Sequence, residues 1–183
     1  DAQESRGLGD VYKRQILYGQ FLFNALYLGF SMGVAPVISF QYGAKNSEKL
    51  SNVYHISNRF VKISSGFMAV ASILLAKPIT SVFVSESSHT FAMTVTGFAL
   101  FGINYLFSGY NVFTSSLFTA LSDGKTSALV SFSRTFVCIL ASLLILPQII
   151  GLKGVWLAVP VAEFVTSGLS FYCQRRNLSK YGI

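Results

Sequence analysis

The chain has 183 residues, of which 52% are hydrophobic, 15% aromatic and only 11% charged. A soluble domain of this size cannot bury so much apolar surface, and several uncharged runs reach about 20 residues, enough to cross a bilayer. The composition therefore predicts an integral membrane protein and nearly excludes a large extramembrane catalytic domain.

The net charge of +7 comes from 14 Lys and Arg against 7 Asp and Glu. These cations lie singly or in pairs at the ends of apolar runs, which is typical of membrane topology signals and not of a nucleic-acid surface. The sequence has no HExxH, GxSxG or P-loop pattern, and Cys138 and Cys173 have no metal-binding spacing. We therefore predict no enzymatic activity, no metal site and no organic cofactor.

Residues 1–15 differ from everything that follows. They are rich in charge and have no apolar core, so they do not form a signal peptide. The stretch Ser5–Gln15 (SRGLGDVYKRQ) resembles a translated sequencing adapter. We expect residues 1–15 to be non-native, and the natural chain to continue upstream of the transmembrane part, residues 16–183.

Five transmembrane helices are predicted in this part, which makes the fold class all-α, a polytopic helix bundle. Pro36 is expected to kink the first helix and Pro78 to mark the far end of the second. Gly97, Gly102 and Gly109 favour a bend or break in the third, which is long for one crossing. A polar loop is expected over Lys45–Ser51, a turn at Ser122–Thr126 and a polar tail from Gln174 to Ile183. The predicted spans are about 16–42, 53–83, 91–121, 127–150 and 155–173.

The basic residues outside the spans predict the orientation. Far more of them fall on the side that holds the C-terminus than on the other, so the positive-inside rule makes the C-terminus cytoplasmic. The cytoplasmic group is Lys45, Lys49, Arg59, Lys62, Lys125, Arg175, Arg176 and Lys180, and the opposite group is Lys77 and Lys153.

Polar residues recur at helical spacing within four spans, so each of these helices is expected to turn a polar stripe toward a common interior. The Ser and Thr members are typical of close helix packing. The deep amides Gln20, Asn24, Asn104 and Asn111, with Tyr27 and Tyr105 nearby, equally suit a wet cavity for amphipathic substrates. The stripes are Gln20, Asn24, Tyr27 and Ser31; Asn104, Ser108, Asn111 and Ser115; Ser131, Arg134, Cys138 and Ser142; and Glu163, Thr166, Ser167, Ser170 and Gln174.

Glu163 is a carboxyl within a span, which is a functional hypothesis by default. Arg134 in the neighbouring span is its candidate partner. Two roles remain open for Glu163: a structural ion pair with Arg134, or the binding of a proton or cation.

Residues 33–45, GVAPVISFQYGAK, resemble the glycine, proline and "yGAk" signature that closes the second helix of each lobe in the multidrug and toxic compound extrusion (MATE) family. Its helix-bending and motif residues here are Gly33, Pro36, Gly43 and Ala44. Weaker matches follow in the family's order: SFSR at 131–134, LKGVW at 152–156 and PVAE at 160–163.

The resemblance implies a twelve-helix transporter with two pseudo-symmetric lobes, of which this chain would be helices eight to twelve and the missing N-terminal lobe the partner. It implies a multidrug efflux antiporter of a bacterial inner membrane that exports amphipathic, often cationic compounds in exchange for sodium ions or protons by alternating access. One branch of the family uses a carboxylate on the tenth helix for the coupling ion, and the third predicted span has no acidic residue. The alternatives are a lipid-linked oligosaccharide flippase of the same superfamily and a membrane assembly subunit that transports nothing.

Overall fold

The computed structural model describes residues 24–83 and 89–183. The regular secondary structure of these residues consists of helices, joined by short turns. The first helix, α1, is described over 24–43. The later elements are α2 (Ser47–Phe83), α3 (His89–Gly102), α4 (Tyr105–Ala120), α5 (Gly124–Phe132), a π-helix (Ser133–Cys138), α6 (Ile139–Ile150), α7 (Leu152–Asn177) and a 3₁₀ turn (Leu178–Tyr181). The predicted all-α helix bundle is confirmed.

Three segments are long and apolar enough to cross a membrane: Ser47–Ser81, Gly124–Ile150 and Gly154–Tyr181. The predicted third span is divided into α3 and α4, and the break follows Gly102, one of the glycines expected to favour it. The predicted first span is described only from residue 24. The number of crossings, five, therefore stays a prediction.

Helical structure extends further into the polar segments than expected. The predicted loop gives way to helix at Ser47, because the side chain of Asn46 accepts the Lys49 N–H at 3.0 Å. Helix α7 likewise continues into the predicted tail, to Asn177. Helix α2 includes Pro78 and ends at Phe83, the predicted end of the second span. A proline is tolerated near the end of a long helix when packing holds the turns on either side.

Helix α4 is the centre of the bundle. It packs against α2, α5 and α7, and α1 joins it through hydrogen bonds from Tyr27 to the Tyr105 carbonyl (3.2 Å) and from Ser39 to the Ala120 carbonyl (2.9 Å). More than half of its residues are buried, including Phe113 and Asn111. A helix that is buried on most of its faces can carry polar groups only where neighbouring helices satisfy them.

Helix α2 buries a narrow stripe of small and polar residues against α3 and α4. Small side chains let the helix backbones approach closely, which is the usual source of helix association in lipid. The opposite face is apolar and exposed, as at Phe67 and Leu74. The buried stripe is Tyr54, Ser57, Val61, Ser65, Ala69, Ser72, Ala76 and Thr80.

Asp123 fastens the α4–α5 turn to the end of the chain. Its carboxylate accepts the Thr126 N–H at 3.1 Å as an N-cap, the Thr126 hydroxyl at 2.7 Å and the Tyr181 hydroxyl at 3.0 Å. Burial opposes ionisation, but these hydrogen bonds and the charge of Lys180 together lower the pKa of Asp123 below its usual value. The residue is thus an N-cap that also orders the C-terminal turn.

We expect Asp123→Ala to destabilise the protein by about 1 kcal/mol, the usual cost of losing an N-cap. Because the folded-state pKa lies below the unfolded one, the contribution is complete above about pH 4 and is lost as the pH falls through the folded pKa. Thermal unfolding of parent and variant at pH 7 and pH 3 checks both points. Tyr181→Phe, which removes one bond and no charge, should cost less, and an equal difference between parent and Asp123→Ala at both pH values would contradict the assignment.

Candidate functional site

Glu163 and Arg134 form an ion pair inside the bundle. The Arg134 Nε donates to Glu163 Oε1 at 2.7 Å, joining the π-helix to α7. Glu163 is only 3% exposed, whereas the Arg134 side chain is 23% exposed. The carboxylate is therefore removed from solvent while its cationic partner keeps access to the surface.

Asn111 of α4 completes the surroundings of this carboxylate. Its Nδ2 donates to Glu163 Oε2 at 2.6 Å and to the Glu163 carbonyl at 2.9 Å. Its Oδ1 accepts the Ser170 hydroxyl at 2.8 Å. Both carboxylate oxygens thus have hydrogen-bond partners, each on a different helix, which offsets the cost of burying this polar group.

A second set of hydrogen bonds continues one turn further along α4 and α7. Gln174 Nε2 donates to Thr114 Oγ1 at 2.8 Å, and Gln174 Oε1 accepts the Tyr54 hydroxyl, also at 2.8 Å. Asn58 Nδ2 in turn donates to the Tyr54 oxygen at 3.2 Å. Polar contacts therefore follow the interface between α4 and α7 from Glu163 to Gln174. They end at Tyr54 and Asn58 of α2, near the C-terminal end of α7.

The π-helix is what carries Arg134. It interrupts the rod from Gly124 to Ile150, and Arg134 is the second of its six residues. A π-turn inserts one residue into an α-helix and rotates the side chains on either side of it, and such turns are frequent at functional sites. The Thr135 hydroxyl also bonds back to the Ser131 carbonyl, so this turn is supported by its own side chains.

Serines and a threonine join α4 to α5 just before the π-helix. The Ser115 hydroxyl lies 2.5 Å from that of Ser131 and 3.1 Å from that of Ser127, and Thr119 also reaches Ser127 at 2.7 Å. These short side chains hold the two helices close together. They fix the base of the segment that presents Arg134.

A separate group of buried polar atoms has no partner in the described part of the chain. Asn104 lies at the break between α3 and α4, is 1% exposed, and neither its Oδ1 nor its Nδ2 makes a hydrogen bond. The Ser108 hydroxyl, one turn further along α4, and Asn24 Oδ1 on α1 likewise have no hydrogen-bond partner among the described residues. An unsatisfied polar atom within a membrane is costly, so these are atoms that water or a ligand would stabilise.

The structure thus brings several of the predicted site residues together. Glu163, Arg134 and Asn111 contribute to one hydrogen-bonded region. Ser170 and Gln174, predicted only as members of a polar stripe, belong to it as well. The other proposed cavity residues are placed differently: Tyr27, Asn104 and Tyr105 are buried near the α1–α4 contact. Gln20 lies outside the described residues. The use of any of them for substrate remains a prediction.

The motif glycines of α1 are not packing positions within the described residues. A Cβ at Gly33 or Gly43 would meet nothing within 4 Å. Pro36 lies inside α1, and Ala44 lies in the turn that follows it. Helix α1 ends at Gly43, and the residue of the following turn with a left-handed conformation is Lys45, with φ of 54°. Helix bending at Gly33 and Pro36 stays a prediction.

Tyr54 and Thr114 belong to the hydrogen-bonded region but were not among the predicted site residues. Tyr54 opens the buried stripe of α2, whose spacing of three and four residues was a detectable signal in the sequence. That stripe consists mainly of Ser, Ala and Thr, which carry little hydropathy contrast. Thr114 had no such signal, because it lies beside a polar stripe and its role depends on Gln174 of a distant helix.

An all-helical membrane bundle whose polar interior is bounded by a broken helix and a π-turn has the architecture of a membrane transporter. The family model named MatE matches residues 19–144, more than half of the chain. The chain belongs to this family of membrane transporters. A search of curated protein sequences found no match at the stringency applied.

Solved structures of transporters share the fold. An outward-facing multidrug resistance MATE family transporter of the MOP superfamily is 19% identical, with a TM-score of 0.83 over 93% of this chain and 38% of that one. An inward-facing MATE transporter of the same superfamily is 20% identical, with a TM-score of 0.77 over 93% and 39%. A MOP superfamily transporter from Pyrococcus furiosus, for which reverse polarity of the binding pocket suggests a different function, is 19% identical, with a TM-score of 0.84 over 94% and 39%. The chain thus spans less than two fifths of the proteins it resembles.

Proposed function

We propose that the chain forms the second-lobe part, helices eight to twelve, of a multidrug antiporter in a bacterial inner membrane, with its C-terminus in the cytoplasm. The whole transporter would export amphipathic and cationic compounds in exchange for sodium ions or protons by alternating access. Family membership supports transport, and likeness to both an outward-facing and an inward-facing transporter supports a lobe that serves both states.

The buried carboxylate of Glu163 is the observation that carries the coupling part of this proposal. It is the acidic side chain that lies buried among the described membrane-spanning residues, and it joins α4, α7 and the π-helix. Neutralising it with a proton, or engaging it with a sodium ion, would remove the attraction that holds Arg134. The partly exposed guanidinium could then turn toward the surface, which would free the π-helix from α7.

Two alternatives have weaker support. A flippase for phosphorylated lipids needs a cationic transport cavity, whereas the cation among the polar stripes of the bundle interior, Arg134, is already neutralised by Glu163 at 2.7 Å. A subunit that transports nothing could use the Glu163–Arg134 contact only as a structural ion pair, and membership of a transporter family argues against such a subunit.

Efflux of a fluorescent cationic dye by the full-length transporter in proteoliposomes tests the proposal under a sodium or a proton gradient. We expect Glu163→Gln to reduce gradient-driven efflux about 30-fold, the middle of the range for a coupling free energy of ~1–3 kcal/mol. Glu48→Gln, in the first turn of α2, removes a carboxylate outside the site and should behave as the parent. Equal efflux by parent and Glu163→Gln under both gradients would exclude the coupling role, and no efflux by the parent would exclude the antiporter.

A further inference from the structure

A cavity of about 370 Å³ opens between α2, α4, α7 and the C-terminal turn, at the far end of the hydrogen-bonded region. It is separate from the ion pair, because neither Glu163 nor Arg134 lines it. Its wall is aromatic and apolar, with polar and basic groups at intervals. The lining residues are Tyr54, His55, Asn58, Lys62, Tyr110, Phe171, Gln174, Arg175, Leu178, Ser179 and Ile183.

The side chains of this cavity carry positive charge and no negative charge. Lys62 and Arg175 line it from α2 and α7, and no Asp or Glu is among the lining residues. Neither cation has an ion-pair partner among the residues that the structure describes, and the Arg175 guanidinium lies over the Phe171 ring, 5.1 Å from its centroid. Two unpaired cations beside a concave wall favour an anionic ligand.

The cavity lies at the depth of lipid headgroups. On α2, Lys62 is the last charged residue before the uncharged stretch from Ile63 to Ala76. At a rise of about 1.5 Å per residue, Lys62 and Lys77 are about 22 Å apart along the helix axis. Their long side chains can therefore reach the two opposite edges of the hydrocarbon layer. Arg175 follows the apolar part of α7 in the same way. Both cations thus lie where a bilayer presents its phosphates.

The surroundings suit the rest of a phospholipid as well. Phe171 of α7 lines the cavity and is 54% exposed, and Phe164, two turns earlier on the same face of this helix, is 62% exposed. These two rings offer an apolar surface for acyl chains. Within the cavity, Asn58 Oδ1 is buried and has no hydrogen-bond donor, so it can accept one from a headgroup hydroxyl. A choline headgroup has no such donor, and a glycerol headgroup has two.

From this geometry we propose that the α2–α4–α7 cavity is a binding site for an anionic phospholipid with a hydroxyl-bearing headgroup, of which phosphatidylglycerol is the simplest. Lys62 and Arg175 bind the phosphate, Asn58 accepts a headgroup hydroxyl, and the acyl chains follow the exposed apolar surface of α7 at Phe171 and Phe164. The site belongs to the leaflet on the side of the positively charged loops.

Lipid binding to the delipidated full-length protein in neutral detergent tests this, measured by native mass spectrometry and by the thermal shift on adding lipid. The test variant is Lys62→Gln with Arg175→Gln. The matched control is Lys49→Gln with Lys180→Gln, which removes the same charge from the same side at positions that do not line the cavity. Dioleoyl phosphatidylglycerol, dioleoyl phosphatidylcholine and inorganic phosphate are the probes.

We expect phosphatidylglycerol to bind the parent and the control and to raise their unfolding temperatures, and to bind the test variant at least about tenfold more weakly, as the loss of two surface cations implies. Phosphatidylcholine should bind all three weakly and alike. The proposal is overturned if the test variant retains phosphatidylglycerol, if phosphatidylcholine binds the parent equally well, or if inorganic phosphate alone reproduces the thermal shift. If the double variant does not fold, comparing phosphatidylglycerol binding by Lys62→Gln with that by Lys49→Gln tests the same point. Lys62→Arg, which keeps the charge, should still bind phosphatidylglycerol.

Discussion

Glu163→Gln is expected to destabilise the bundle more than the double change Glu163→Gln with Arg134→Gln. The single change keeps most of the contacts of Asn111 but leaves Arg134 as an unpaired cation beside an amide. Breaking a fully buried pair costs ~3–5 kcal/mol, and the 23% exposure of the Arg134 side chain reduces that here to about 2 kcal/mol. Removing both charges removes the desolvation cost of both, so the double variant should recover much of the loss.

Denaturant unfolding in detergent of the parent, the two single variants and the double variant measures this coupling directly. Ser167→Ala is a suitable control, since the one bond of the Ser167 hydroxyl among the described residues is to the Glu163 carbonyl of its own helix, at 3.0 Å. Its loss should cost less than about 0.5 kcal/mol. Additive effects of the two single changes would show that the pair contributes nothing beyond its separate members.

Dye efflux by the same variants separates the two roles that the sequence left open for Glu163. If the pair is structural, the double variant should regain efflux together with stability. If Glu163 binds the coupling ion, the double variant should regain stability and remain inactive. The outcome depends on chemistry at a single carboxylate, so the stability data serve as the control for the transport data.

The sequence was sufficient to predict the helical class and to place Asn111, Arg134 and Glu163 in the candidate site. Polar residues at a spacing of three or four in an apolar helix must face other protein, so Asn111, Glu163 and Gln174 could be assigned to an interior before their partners were known. The contact between Arg134 and Glu163 followed from their being a cation and an anion in adjacent spans. These inferences rest on the cost of exposing polar groups to lipid, which is the same for any arrangement of the helices.

Features that arise from tertiary contacts could not be predicted in this way. The π-helix at Ser133–Cys138 has no local signature, since the sequence SRTFVC is compatible with an ordinary α-helix. The 3₁₀ turn at the C-terminus, expected to be a polar tail, is ordered by Asp123, which is distant in sequence. Close helix–helix contacts at glycines could not be predicted either, because they depend on the position of the partner helix and not on the glycine itself.

Gly154→Ala is the second change for which we expect a large effect. A Cβ at Gly154 would lie 2.4 Å from both the carbonyl carbon and the carbonyl oxygen of Leu146 and 2.7 Å from the Pro147 nitrogen. These are backbone atoms of α6, which cannot rotate away as a side chain can. Helices α6 and α7 therefore touch backbone to backbone here, just after the turn at Gly151, whose φ is 62°. Only glycine permits this approach.

We expect Gly154→Ala to cost about 2–3 kcal/mol of stability, because the two helices must separate to admit the methyl group. Gly168→Ala in the same helix is the matched control: a Cβ there meets nothing within 4 Å, so its effect should be within about 0.5 kcal/mol of zero. Denaturant unfolding of the two variants in detergent measures this difference, and equal stabilities would refute the close contact.

The same change is also expected to affect transport. Arg134 and Glu163 lie on the two sides of this hairpin, so displacing α7 from α6 at Gly154 should also weaken their contact and reduce efflux, whereas Gly168→Ala should leave both unchanged.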